Sequence, residues 1–323
     1  MENLLLLTTL AAIAIAITAC GGSNPDPAPA PSNTVLSVVT TNNIVEDWVR
    51  RVGGDRVEVL SLVPAGADPH HFQPGARDIT RVADADVVFS IGLGLEDAWL
   101  KDMFNADSTT SGPHIALGDV IDPIRNEHHS PDDHEDKDHA DEDHEDGPLD
   151  PHFWFDPLRV KLVISEITMQ LTALDPLGAQ TYRDNSISYI SELDELHAWA
   201  QTTLNTVPEE RRVLITSHHT LGYFALRYNY EIVGTIIPNM SEGTEVTATD
   251  LTELIDTVIK QGVPAIFVET TTSDRMANRI AEEVGVLVVN SIYTDSLSKP
   301  GEGADTYTTM MRSNITTITE ALR

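Results

Sequence analysis

Cysteine is almost absent from this chain of 323 residues. The single Cys20 excludes an intramolecular disulfide and any cysteine-rich zinc finger, so a bound transition metal would have to rest on histidine and carboxylate. Basic residues are also few: 20 Lys and Arg stand against 51 Asp and Glu, a formal charge of −31. A polyanion of this kind repels phosphate backbones and anionic headgroups, which argues against nucleic acid or a charged lipid surface as a partner. The catalytic signatures H-E-x-x-H, G-x-S-x-G and G-x-x-x-x-G-K-[ST] are missing, and Gly92 with Gly94 lacks the third glycine of a dinucleotide fingerprint. The apolar run Leu4 to Ala16 is too short to span a bilayer, which takes roughly 20 residues.

What is present points to a folded, exported body. Hydrophobic residues make up 41% of the chain, enough for real cores in one large or two medium domains. Small residues precede Cys20 in Ile17-Thr18-Ala19-Cys20-Gly21-Gly22, and the pattern resembles a bacterial lipoprotein signal with its cysteine acceptor. Residues 1–19 are therefore expected to be a signal peptide, although they hold no Lys or Arg, and Cys20 a lipid anchor at the membrane. Asn24 to Ser32 is proline-rich, so 20–33 reads as an extended tether between lipid and domain.

Beyond the tether, β-branched runs alternate with helical patterns. Val35 to Thr40, Val57 to Val63 and Val87 to Ile91 read as strands, with a helix from Ile44 to Val52 stopped at Gly53-Gly54. The second half repeats the alternation, with strands at Val213 to Thr216, Ile232 to Ile236, Ala265 to Val268 and Val286 to Val289. Helical patterns run from Thr249 to Gln261, Ser273 to Val284 and Ala304 to Ala321. The fold class is α/β: two lobes with parallel sheets, spanning 34–177 and 208–323. Tyr182, Ile187, Ile190, Leu193, Leu196, Ala200 and Leu204 recur at spacings of three to five with no proline until Pro208, which predicts one long helix over 178–207 joining them. Asp156-Pro157 opens the preceding helix and Asp175-Pro176 closes it.

Glu127 to Asp146 belongs to neither core. It carries His128, His129, His134, His139 and His144 with eleven acids and one lysine, too little apolar surface for a packed structure. The segment reads as a solvated insertion in the first lobe, and imidazoles among carboxylates make it an auxiliary, low-affinity metal loop. The acidity is not confined to it, and the global charge reads as solubility or adaptation to salt.

Seven histidines lie outside the insertion, and three sit where an α/β sheet presents ligands. His70 follows the strand ending at Val63, His152 precedes the Asp156 helix cap, and His218 follows Val213 to Thr216; Asp295 follows the strand Val286 to Val289. Ligands of open parallel sheets bind beyond the carboxyl ends of the strands. Two residues from each lobe can thus converge at an interlobe cleft, and three imidazoles with a carboxylate make a tetrahedral zinc site. Singly, each also fits a surface loop, and Asp295 also fits a turn cap. His71 and His219 are the competing neighbours, while His114 and His197 read as surface residues.

The chain from Asn33 to Arg323 resembles the solute-binding proteins of zinc and manganese ABC transporters, the cluster A-I or TroA-like lipoproteins. The matching pieces are Gly66-Ala67-Asp68-Pro69-His70 with Pro74, Gly92-Leu93-Gly94-Leu95-Glu96, Pro151-His152-Phe153-Trp154, Ser217-His218 with Gly222-Tyr223-Phe224, and Tyr293-Thr294-Asp295-Ser296-Leu297. The resemblance implies two Rossmann-like lobes bridged by a rigid helix, with a metal held by His70, His152, His218 and Asp295. It implies a monomeric, non-catalytic binding protein on the outer side of the cytoplasmic membrane, in the periplasm or at the cell surface, that delivers its metal to a permease and its ATPase. Histidine at the third position and a His-rich acidic loop favour Zn2+, with Mn2+ or Fe2+ as the alternative. A departure is His219, where the family usually has aspartate, and Asp295 holds the most variable position of the four. A zinc hydrolase is the competing class, since catalytic zinc also uses three protein ligands with water in an open fourth position.

Overall fold

The computed structural model describes residues 35–106, 112–125, 149–237 and 246–323. The expected signal segment, Cys20, the tether and the insertion histidines His128, His129, His134, His139 and His144 lie outside them. The first half runs β1 (Leu36–Thr40), α1 (Asn43–Gly53), β2 (Val57–Ser61), α2 (Ala76–Ala83), β3 (Val87–Ser90), α3 (Leu100–Ala106) and β4 (His114–Ala116). Two helices follow, α4 (Pro157–Leu174) and α5 (Ala179–Leu204). The second half runs β5 (Val213–Thr216), α6 (Gly222–Tyr228), β6 (Glu231–Thr235), α7 (Ala248–Gln261), β7 (Ala265–Glu269), α8 (Arg275–Val284), β8 (Leu287–Ile292) and α9 (Tyr307–Leu322).

Each half builds a four-stranded parallel sheet with the same spatial order, β2-β1-β3-β4 and β6-β5-β7-β8. The fold is α/β with two such sheets, as the alternation predicts, and the long helix spans 26 residues. The ends of the preceding helix, α4, follow from local chemistry. Asp156 caps α4 by accepting a hydrogen bond from Leu158 N, Pro157 opens the first turn, and Asp175 accepts from Gly178 N at the corner between α4 and α5.

Residues one apart on the central strands face different apolar layers, the period of two that a pleated strand imposes. Val38, Phe89, Leu214 and Phe267 point into one large core, where α1, α4, α5 and α9 also bury their apolar faces. Their neighbours Val39 and Val88 face a smaller outer core with Trp99 and Leu100, whereas Ile215 and Ile266 face another with Leu254 and Ile280. Both faces of each sheet are covered, which is why the strands read as continuous hydrophobic runs. The large core is shared by the two halves. Trp48 of α1, fully buried, stacks on Phe153 at 6.1 Å and meets Tyr307 of α9 edge-on at 5.6 Å. Beside it Arg227 of α6 grips the buried Asp156 with two hydrogen bonds of 2.9 and 2.6 Å, and Arg159 adds a third at 2.7 Å.

Some boundaries differ from expectation. The strand read to Val63 ends at Ser61, but Leu62 N and Val63 N still donate to Thr40 and Thr41 carbonyls, so the chain stays beside β1. The last helix starts at Tyr307 rather than Ala304, capped by Thr306 accepting from Thr309 N. The short elements α2, α3, α6 and β4 carried no periodicity long enough to read.

A shared core predicts that both halves unfold together. Trp48→Ala should cost about 3–5 kcal/mol, the usual loss for a fully buried large aromatic, and calorimetry should show one lowered transition. Two resolved transitions, with only the N-terminal half destabilised, would contradict a common core.

Candidate metal centre

Each of the four residues singled out in the sequence sits at a fixed place on the scaffold. The loop after β2 turns at Gly66, whose φ of +82° suits glycine, and Asp68 then accepts from His70 N at 2.8 Å. The carbonyl of Pro69 accepts from the Trp99 indole at 2.7 Å, which ties the loop to the outer core. His152 precedes a single 3-10 turn, Phe153–Phe155, whose three aromatic rings are buried and anchor it. His218 lies between β5 and α6, and Asp295 follows β8. The Trp154 indole donates to the Thr294 carbonyl at 2.8 Å, joining the His152 segment to the Asp295 segment.

These side chains meet. The imidazole centroids of His70, His152 and His218 form a near-equilateral triangle with sides of 5.6, 5.5 and 5.5 Å. Nε2 of His152 lies 3.5 Å from Asp295 Oδ1, and Nε2 of His218 lies 3.8 Å from Asp295 Oδ2. One donor atom from each of the four residues falls within 4.8 Å of the others, and all four residues are buried. Ligands about 2.0–2.2 Å from a tetrahedral zinc would sit about 3.3–3.6 Å apart, so a small contraction completes the cage. Among the described residues this is the group of His, Cys, Asp and Glu close enough to share an ion.

The unpaired atoms point the same way. Nε2 of His70, His152 and His218 and Oδ1 of Asp295 are buried without a hydrogen-bond partner. A buried polar atom left unsatisfied costs about 1–3 kcal/mol, and four facing one another form a group that could hold a cation. Two carboxylates absent from the sequence reading stand behind the imidazoles. Asp150 Oδ1 lies 2.7 Å from Nδ1 of His152 and also accepts from its backbone N at 2.9 Å. Glu269, the last residue of β7, puts Oε2 2.8 Å from Nδ1 of His218, a close contact whose alignment falls short of a hydrogen bond. Such partners fix the ring orientation and leave the other nitrogen for metal. Asp150 had a legible signal, two residues before His152 in the same motif; Glu269, 51 residues after His218, had none.

The electrostatics follow from these neighbours. Burial pulls His152 toward the neutral form, but Asp150 and Asp295 outweigh it and push its pKa up to about 10. Burial acts on His218 likewise, and Glu269 and Asp295 together raise it above the ordinary value. His70 has no carboxylate against its ring; burial dominates, Asp295 offsets part of it, and the pKa falls to about 4. Burial favours protonated Asp295, yet the close His152 ring and the neighbouring His218 and His70 hold it well below the usual carboxylate range.

The other described histidines are not part of this group. His71 is half-exposed and pairs with Asp68 at 2.8 Å, and His219 is less buried than His218. His114 contacts Ser90 Oγ at 2.8 Å. His197, expected at the surface, is half-buried with Nδ1 3.4 Å from the Tyr228 hydroxyl. Glu96 of the Gly92–Glu96 turn is structural: its buried carboxylate accepts from Thr41 Oγ1, Ile91 N and Gly92 N, while Gly92 and Gly94 take positive φ.

The chain resembles known metal-binding proteins in sequence and fold. The chain is 32% identical over 287 residues to the manganese-binding lipoprotein MntA of Halalkalibacterium halodurans, covering 89% of this chain and 88% of that protein. Its fold superposes on the Mn-bound periplasmic metal-binding protein of Candidatus Liberibacter asiaticus with a TM-score of 0.76 at 27% identity, covering 89% and 100% of the two chains. The periplasmic zinc-binding protein TroA of Treponema pallidum gives a TM-score of 0.76 at 26% identity, covering 89% and 99%. Residues 38–321 match the family model described as ZnuA, zinc-uptake complex component A, periplasmic, and the chain belongs to that family.

Proposed function

We propose that this chain captures Zn2+ outside the cytoplasmic membrane, through His70, His152, His218 and Asp295, and hands it to an ABC permease and its ATPase. Family membership makes it a metal-binding component of an ABC importer and not an enzyme. The observation that carries the choice of ligands is the convergence of four buried donor atoms, each lacking a partner in the protein. The choice of zinc rests on donor chemistry. Three imidazoles and one carboxylate suit zinc, whereas manganese favours more oxygen and stands below zinc in affinity for a nitrogen-rich site. Relatives named for manganese and for zinc both occur, so the donor set is what favours zinc, with Mn2+ and Fe2+ as the competing metals. All four donors come from the protein, which leaves no open position for the water of a hydrolytic zinc.

The remaining features form one proposal. Cys20 carries the lipid that holds the protein at the membrane, residues 20–33 let it reach the permease, and the chain works as a monomer of two lobes, 34–177 and 208–323, about the 178–207 helix. No helix among the described residues is long and apolar enough to cross a membrane. The insertion histidines act as a weaker metal-collecting loop.

Three outcomes test the reading. Protein lacking residues 127–146, loaded in equimolar Zn, Mn and Fe, should carry close to one zinc per chain by mass spectrometry; manganese in that place would reassign the cargo. His152→Ala should lose tight zinc binding with its circular dichroism intact, and full-strength binding would remove it from the ligand set. Metal-free His152, with its pKa near 10, holds a proton at pH 7 that the ion must displace. Zinc binding should therefore release about one proton or more, so its calorimetric heat depends on the ionisation enthalpy of the buffer. Since protonation competes with the metal, affinity should fall as pH drops; a buffer-independent heat would contradict this.

A further inference from the structure

The loop that carries Asp295 is held from across the cleft. Asn43 stands at the first position of α1, where the neighbouring Asn42 already caps the helix by accepting from Val45 N, so the carboxamide of Asn43 is not needed for capping. Its Oδ1 accepts from Leu297 N at 2.9 Å, and its Nδ2 donates to the Leu297 carbonyl at 3.3 Å and to Ser296 Oγ at 3.2 Å. The amide thus supplies both hydrogen bonds that a neighbouring strand would give to Leu297. Ser296 Oγ in turn accepts from Gly66 N at 2.7 Å. Gly66 lies four residues before His70, and Ser296 directly follows Asp295. Ser296 and Leu297 are buried, so the groups concerned have little water to replace these partners.

We propose that Asn43 is a positioning residue that clasps the Asp295 loop against the His70 loop and thereby sets how long the metal stays bound. The inference rests on the metal reading above and adds which contacts must break for release. Withdrawing Asp295 from the three imidazoles separates Leu297 from Asn43 and Ser296 from Gly66, so these bonds resist dissociation. Capture is different, because His70, His152 and His218 are held by their own segments and need no help from Asn43. Removing the clasp should accelerate release and leave the association rate alone.

The test is stopped-flow kinetics with zinc as the probe on the full mature chain, with release followed in excess chelator. Asn43→Ala should raise the dissociation rate about tenfold to a hundredfold, the loss of one or two net hydrogen bonds at the barrier, with one zinc per chain and the association rate within about twofold of the original. Asn43→Asp keeps an acceptor for Leu297 N but places a carboxylate against the Leu297 carbonyl, and should release zinc at least as fast. Ser296→Ala, which removes the Gly66 bond, should raise the rate less. Combined with Asn43→Ala it should fall short of the product of the two effects, because they act on one network. A merely structural role would lower the Tm of the metal-free protein without changing the dissociation rate. If Asn43→Ala fails to fold, the Asn43→Asp and Ser296→Ala rates carry the test. Unchanged dissociation in the folded variants overturns the proposal; an original chain that takes up no stoichiometric zinc overturns the metal reading itself, and the two failures are distinguished because the second is read on unsubstituted protein.

Discussion

Four donor atoms with no partner inside the protein face one another in a buried space, and the rest of the molecule is arranged to keep them there. Left empty, such a cluster is unfavourable, since buried polar atoms without hydrogen bonds sacrifice solvation and gain nothing. It persists because two of the imidazoles are held from behind and the loops are tied to the scaffold. Asp150 and Glu269 face the far nitrogens of His152 and His218, and the Pro69 and Thr294 carbonyls fix the two outer loops through tryptophan indoles. Rotating the His152 or His218 imidazole away from the centre would break its outer contact, so their convergence is imposed by the surroundings.

That imposition requires the two sheets to share a core. Trp48, Phe153 and Tyr307 pack where α1, the His152 segment and α9 meet, and the Tyr307 hydroxyl donates to the Trp154 carbonyl at 2.7 Å. Dense packing of this kind transmits small displacements and resists large ones. A wide swing of one half about the long helix would expose the aromatic cluster and separate Arg227 from the buried Asp156. Motion at the site is therefore cheaper in loops than in whole lobes. The loop after β8 is the natural place, since side-chain hydrogen bonds from Asn43 and Gly66 N, rather than a strand ladder, restrain it there.

Much of this was legible in the residues because the strands are buried on both faces. Val38-Val39, Leu214-Ile215 and Ile266-Phe267 each divide between two apolar layers, which leaves the unbroken hydrophobic runs that mark a parallel sheet. The long helix showed itself through the spacing of Tyr182, Ile187, Ile190, Leu193, Leu196, Ala200 and Leu204; five of these are buried, whereas Ile190 is only partly buried and Ile187 faces solvent. The histidines stood out by scarcity and by their places after strands and before a helix cap. What stayed hidden depends on contacts distant in sequence. Nothing near Glu269 marks it as the partner of His218, and nothing near Asn43 marks it as the partner of Leu297, 254 positions away. The three-residue β4 and the seven-residue α3 and α6 are set by tertiary packing, and their periodicity is too brief to announce them.

The same carboxylates that orient the rings also limit the cost of leaving the buried site empty. Asp295 stays ionised, and in the metal-free protein a proton on His152, with His218 displaced in the same direction, supplies positive charge at the centre. On the proposed reading a dication displaces the His152 proton, so part of its charge is offset within the low-dielectric interior. A site that exchanges protons for metal in this way needs no large rearrangement to avoid burying uncompensated carboxylates, which is the costly alternative. His70, without a carboxylate at its ring and with its pKa near 4, is the imidazole already neutral at physiological pH. On the proposed reading it is the ring that meets the ion without first losing a proton.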